Sequence, residues 1–144
     1  MKYERKQSHS IYDHKYHLCW ITKYRFKVIT DQVAIRTREL IKQVCQEHQV
    51  EIIKGHIRPE HIHLFVSVPP TLSISKLLQY LKGKSARKLL QEFETLRKQY
   101  YGGSLWARGY YSATSGNITD EMIIEYVKNQ DRQEEQDETF LITE

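Results

Sequence analysis

Three features of this 144-residue chain predict an α+β fold of the ferredoxin-like (RRM-like) kind, β-α-β-β-α-β, with one four-stranded antiparallel sheet and an extra C-terminal helix. The first is strict alternation in "RPEHIHLFVSVPP" (58 to 70), where Ile62, Leu64, Val66 and Val68 fall on one face of a strand and His61, His63, Phe65 and Ser67 on the other. The second is a pair of long segments whose apolar residues recur at helical spacing. The third is the very short link at Arg58 to Glu60, which makes the strands on either side of it an antiparallel hairpin.

The elements follow in order. "KYHLCWIT" (15 to 22) is rich in aromatic and β-branched residues and reads as the first strand. "DQVAIRTRELIKQVCQEHQ" (31 to 49) reads as a helix, with Val33, Ile35, Leu40, Ile41 and Val44 at helical spacing behind an acidic start. "VEIIKGHI" (50 to 57) is the second strand and the histidine strand the third. "SISKLLQYLKGKSARKLLQEFETLRKQ" (73 to 99) is helical, with a bend expected near Gly83, and "ARGYYSAT" (107 to 114) is the fourth strand. After Ser115-Gly116-Asn117, Thr119 can cap a last helix, "DEMIIEYVKNQ" (120 to 130), whose Asp120 and Glu121 suit its N-terminal dipole. Two helices are expected to cover the face bearing Ile62 and Leu64, leaving the histidine face open.

Length and a 40% hydrophobic composition fit one domain over residues 1 to 130, followed by an acidic tail, 131 to 144. No apolar run suits a signal peptide or a membrane span, so a cytoplasmic protein without a membrane partner is expected. Cys19 and Cys45 have no metal or redox spacing and are assigned to packing. The tail sets six carboxylates against Arg132, a net of −5, so the rest of the chain carries +9 against the overall +4. Such a basic body suits a polyanionic partner.

Two imidazoles at alternate strand positions stand about 7 Å apart at the backbone and can converge on one cation. An isolated histidine pair is more often surface or hydrogen-bonded, so further donors are needed. The last helix offers Tyr126 and Gln130, four residues apart and hence on one face. If that face, with Met122 and Ile123, docks on the open sheet, a phenol and a carboxamide arrive beside the imidazoles. A divalent ion polarising a phosphate, with a tyrosine oxygen attacking in line, would keep the bond energy in a phosphotyrosine and require no nucleotide cofactor. The alternative is that Tyr126 is simply the boundary aromatic of an amphipathic helix.

"HLCWITKYRFKVI", "RPEHIHLFVSVPP", "LLQYLKGKSARKLL", "LWARGYYSATSG" and "EYVKNQ", in that order over residues 12 to 130, resemble the single-tyrosine HUH transposases of bacterial and archaeal insertion sequences, which move single-stranded DNA. The resemblance implies that His61, His63 and Gln130 hold Mg2+ or Mn2+ and that Tyr126 is the catalytic nucleophile. It implies recognition of hairpins near element ends, cleavage to a 5′-phosphotyrosine and a free 3′-hydroxyl, and rejoining by reversal. It further implies a homodimer with composite sites, the tyrosine helix of one subunit completing the other's histidines in trans. Glu60 stands where an aspartate is common in the family.

Lys82, Lys84, Arg87 and Lys88 in "KGKSARK", together with Lys23 and Arg25, can hold phosphates, and Tyr110 or Tyr111 can stack on bases. The plain alternative is a solvated helix face with ordinary strand aromatics. Two other functions stay open: a non-catalytic single-stranded nucleic-acid-binding module, disfavoured by the absence of an aromatic RNP pattern, and a domesticated relative that processes repeated hairpins.

Overall fold

The computed structural model describes residues 5–7, 10–114, 122 and 125–129. A two-stranded hairpin, β1 (Arg5–Gln7) and β2 (Ser10–Tyr12), precedes the predicted elements. Then come β3 (Lys15–Ile21), a 3-10 turn (Lys23–Arg25), α1 (Asp31–Glu47), β4 (Glu51–Ile57), β5 (His61–Ser67), α2 (Ile74–Glu92), α3 (Glu94–Gln99) and β6 (Tyr111–Thr114). Met122 and residues 125–129 are helical. The main sheet is antiparallel with order β4-β5-β3-β6, which is the ferredoxin-like arrangement. No described helix is long and apolar enough to cross a membrane.

Alternation in β5 divides the sheet as expected. Leu18 lies opposite Leu64 and Trp20 opposite Ile62. These four join Leu40, Ile41 and Val44 of α1 and Leu77, Leu78 and Leu81 of α2 in one core. Cys45 is buried in the same cluster, in keeping with a packing role. The α1 segment ends where Gln49 takes φ 59, and Val50 N donates to Cys45 O at 2.8 Å, satisfying a terminal carbonyl before β4 begins.

Two expectations are corrected. The long helix is interrupted at Phe93, with φ −119 and ψ 105, while Gly83 lies within α2. The interruption leaves the Leu90 and Gln91 carbonyls to be taken by Arg97 Nη1, at 2.9 and 2.7 Å. The fourth strand begins at Tyr111, later than the sequence pattern predicts, because Gly109 at φ 78 turns the chain out of extended conformation. Upstream of that turn, Ala107 N donates to Ile21 O at 2.9 Å and Thr22 bridges Trp106.

Candidate active site

Because β5 is a central strand, His61 and His63 are held between two neighbours. Register places His63 opposite Cys19 of β3 and His56 of β4, and His17 opposite Phe65. Residues directly opposite each other share a face, so the open side carries a row of imidazoles crossing three strands. His17 Nδ1 lies 3.1 Å from His63 Nε2, and the His56 and His63 rings stack with centroids 5.9 Å apart. Phe65 stacks on His17 at 4.3 Å. Burial holds His17 below the usual imidazole range, favouring the neutral ring that can share one proton with His63. Beneath them Cys19 is fully buried, and burial pushes its thiol up to about 12, so it stays protonated and unreactive.

His61 is held differently. Its Nδ1 is 2.9 Å from Glu60 Oε1, both side chains being largely buried. Glu60 sits in the β4–β5 turn, where its carbonyl accepts Thr22 N at 3.0 Å and Arg58 N donates to His61 O at 2.9 Å. His61 faces Ile21 across the β3–β5 pairing. Ile21 in turn packs with Ala107 and Val127, and Tyr126 rests against this small cluster. The Tyr126 ring lies 5.9 Å from that of Tyr111, the β6 partner of Cys19. The tyrosine helix therefore docks on the histidine face of its own chain. Gln130 and the expected cap Thr119 lie outside the described residues. Among those described, no three His, Cys, Asp or Glu side chains converge as a ready metal cage.

The basic candidates divide by what they touch. Lys82 Nζ donates to Ala107 O at 2.9 Å and Gly109 O at 2.8 Å, tying α2 to the segment beneath Tyr126, and burial lowers its pKa. Lys84 pairs with Glu47 at 3.0 Å. Arg87 is exposed and Lys88 half-buried. Lys23 and Arg25 flank Tyr24 in a turn where Tyr24 and Arg25 both have positive φ, 61 and 52. That strained turn is fixed on several sides, with Lys23 N on Leu105 O at 2.8 Å and the Tyr100 hydroxyl on Lys23 O at 3.1 Å. It follows directly on Thr22, which bonds Glu60. Tyr110 is exposed at the surface, whereas Tyr111 faces Tyr126 and points its hydroxyl at Met122 Sδ, 3.9 Å away.

The pattern of the IS200-like transposases matches residues 10–130, nearly the whole of the chain. The chain belongs to the IS200-like transposase family. It is 31% identical to the ISDra2 transposase TnpA of Deinococcus radiodurans over 120 residues, covering 83% of this chain and 86% of that protein. It is 32% identical over 127 residues to the transposase of insertion sequence element IS200 from Salmonella typhimurium, covering 88% and 83%. A crystal structure of a Deinococcus radiodurans protein assigned as a transposase superposes with a TM-score of 0.81 at 31% identity, over 88% of this chain and 97% of that one. A REP-associated tyrosine transposase bound to a REP hairpin shares the fold, with a TM-score of 0.54 at 16% identity, over 82% and 66% of the two chains. As an IS200-like transposase, the chain belongs with enzymes that cleave and transfer DNA strands.

Within this IS200-like transposase, the sequence marked Glu60 only as standing where aspartate is common in the family, and gave no role to His17 or His56, which the structure brings beside the two histidines. His17 carried a signal: Tyr16, Leu18 and Trp20 alternate as core residues in β3, which turns His17, Cys19 and Ile21 to the other side. His56 needed the β4 register, which bulges between Ile52 and Lys54.

Proposed function

We propose that this transposase cleaves and rejoins single-stranded DNA at insertion-sequence ends, with Tyr126 as nucleophile and His61, His63 and Gln130 as holders of Mg2+ or Mn2+. The observation that carries the reading is the packing of Tyr126 on the sheet face that bears His61 and His63. The donor set fits a divalent cation: Glu60 occupies His61 Nδ1 and leaves Nε2 for a ligand, with a second imidazole two residues along the strand. Such an ion, when bound, would polarise the phosphate and stabilise the leaving oxygen.

The tyrosine oxygen attacks phosphorus as the bond to the 3′-oxygen breaks, giving a 5′-phosphotyrosine and a free 3′-hydroxyl. The phenol's proton is carried, in the net balance, by the departing hydroxyl. Attack by a 3′-hydroxyl on the phosphotyrosine reverses the step, so strand joining needs no external energy source.

Hairpin recognition and a homodimer with trans sites are part of the proposal, resting on the resemblance. A cis arrangement is favoured for the isolated chain by the contact of Val127 with Ile21. The test of the core reading is incubation of Tyr126→Phe with hairpin-bearing single-stranded DNA and Mn2+, followed by a denaturing gel. Loss of the covalent adduct with DNA binding retained is expected. An undiminished adduct would move the nucleophile to another of the chain's ten tyrosines.

A further inference from the structure

We propose that Glu60 is a positioning residue that fixes the tautomer and orientation of His61, so that Nε2 is the nitrogen His61 offers to a metal. The inference rests on the metal-site reading above. A carboxylate can only accept hydrogen bonds, so the 2.9 Å contact between Glu60 Oε1 and His61 Nδ1 requires the proton to be on Nδ1. In the neutral ring the lone pair is then on Nε2.

Three features suit Glu60 to this role. Both side chains are about four-fifths buried, at 18% and 19% exposure, so water competes poorly for either nitrogen. The backbone of Glu60 is held by Thr22 N at 3.0 Å, and that of its neighbour Pro59 by Ile29 N at 2.9 Å, so the carboxylate starts from a fixed point. The two ligand candidates are also treated unequally: His63 Nε2 is engaged by His17 Nδ1 at 3.1 Å, whereas the Glu60 contact is to the opposite nitrogen of His61. His61 is thus the imidazole whose Nε2 is preset, and Glu60 is what presets it. A carboxylate behind a ligand imidazole also raises the basicity of the nitrogen that binds.

The test uses the full chain labelled with 15N-histidine and free of metal, with long-range proton–nitrogen correlation spectra of wild type, Glu60→Gln and Glu60→Ala at pH 8. His61→Gln identifies the His61 signals. Wild type is expected to show the Nδ1–H form of His61, and Glu60→Ala a shift toward the Nε2–H form that imidazole side chains prefer in water. Titration with Mn2+ followed by calorimetry should show about 10- to 100-fold weaker binding for Glu60→Ala. Glu60→Gln keeps an acceptor oxygen without the charge, so it should bind between the two and remains informative if the alanine variant does not fold. A folded Glu60→Ala that keeps the Nδ1–H form, or either variant binding Mn2+ as tightly as wild type, overturns the proposal. Wild-type protein that takes up no Mn2+ would fail the metal-site reading itself, and this role with it.

Discussion

Lys82 separates two accounts of the basic segment on α2. As a phosphate contact it would act through charge; as observed, its ammonium donates to the Ala107 and Gly109 carbonyls and anchors the segment on which Tyr126 and Val127 rest. Lys82→Met keeps the aliphatic stem and removes both bonds. A hydrogen bond to a charged group contributes about 1.5–3 kcal/mol. The Gly109 bond lies at the surface and counts for less, and the substitution also relieves the desolvation that lowers the Lys82 pKa. A net loss of about 2 kcal/mol is expected, which for a chain of this length lowers the melting temperature by roughly 6 °C. The decisive assay is single-stranded DNA affinity across a salt series, beside calorimetric melting. Loss of one phosphate contact lowers the slope of log affinity against log salt by about 0.7, whereas loss of an internal tether leaves it unchanged. A variant that melts with wild type and loses about 0.7 of slope would refute the tether.

His63→Ala should weaken Mn2+ binding and adduct formation together, with partial recovery at excess metal; unchanged calorimetric affinity would remove His63 from the site. Arg36 grips Glu92 with bonds of 2.8 and 3.0 Å and holds its carboxyl below the ordinary value of 4.5, so the stability it adds is present above that value and lost as pH falls through the lowered one. Wild type and Glu92→Gln should therefore melt apart at pH 7 and converge in acid, and a constant difference across that range would exclude the linkage. A purified heterodimer of His63→Ala and Tyr126→Phe chains should regain cleavage if sites are composite in trans, since one site is then intact; a folded, DNA-binding but inactive heterodimer would leave the cis arrangement.

What could be read from the sequence was whatever depended on periodicity. Alternation in 61–68 placed two histidines opposite the core, and helical spacing in 31–49 and 73–99 gave the layer that covers Ile62 and Leu64. The β1–β2 hairpin was not legible, because "RKQSHS" has no alternation; Arg5 reaches the Ser67 and Gln49 carbonyls at 2.9 and 2.7 Å, contacts set by tertiary structure. Gly83 drew the expected helix bend because glycine weakens a helix by about 1 kcal/mol, yet burial of Leu81, Ser85 and Leu89 around it outweighs that cost. Within the site, residue types were legible and partners were not. His17 meets His63 only through strand order, and Lys82, read as a phosphate contact or else part of a solvated helix face, reaches inward to two carbonyls.

The two halves of the candidate site are built with unequal rigidity, and that inequality bears on how it works. His61 and His63 are on a strand paired on both sides, and the alternate residues Ile62 and Leu64 are buried in the core, so moving either imidazole means disturbing the whole sheet. Tyr126 is on a helix whose cluster on this face, among the described residues, includes Ile21, Ala107 and Val127. Fully burying a valine side chain contributes about 1.5–3 kcal/mol, small beside the energy that fixes the sheet. A second copy of the chain presents the same helix and the same apolar seat, so exchanging one helix for the other conserves the contact and the burial. On the proposed mechanism, strand transfer requires a 5′-phosphotyrosine made at one DNA end to meet a 3′-hydroxyl from another. On that proposed mechanism, a tyrosine carried on a helix outside the sheet can move with its attached DNA while the imidazoles stay fixed, and a nucleophile on the central strand could not.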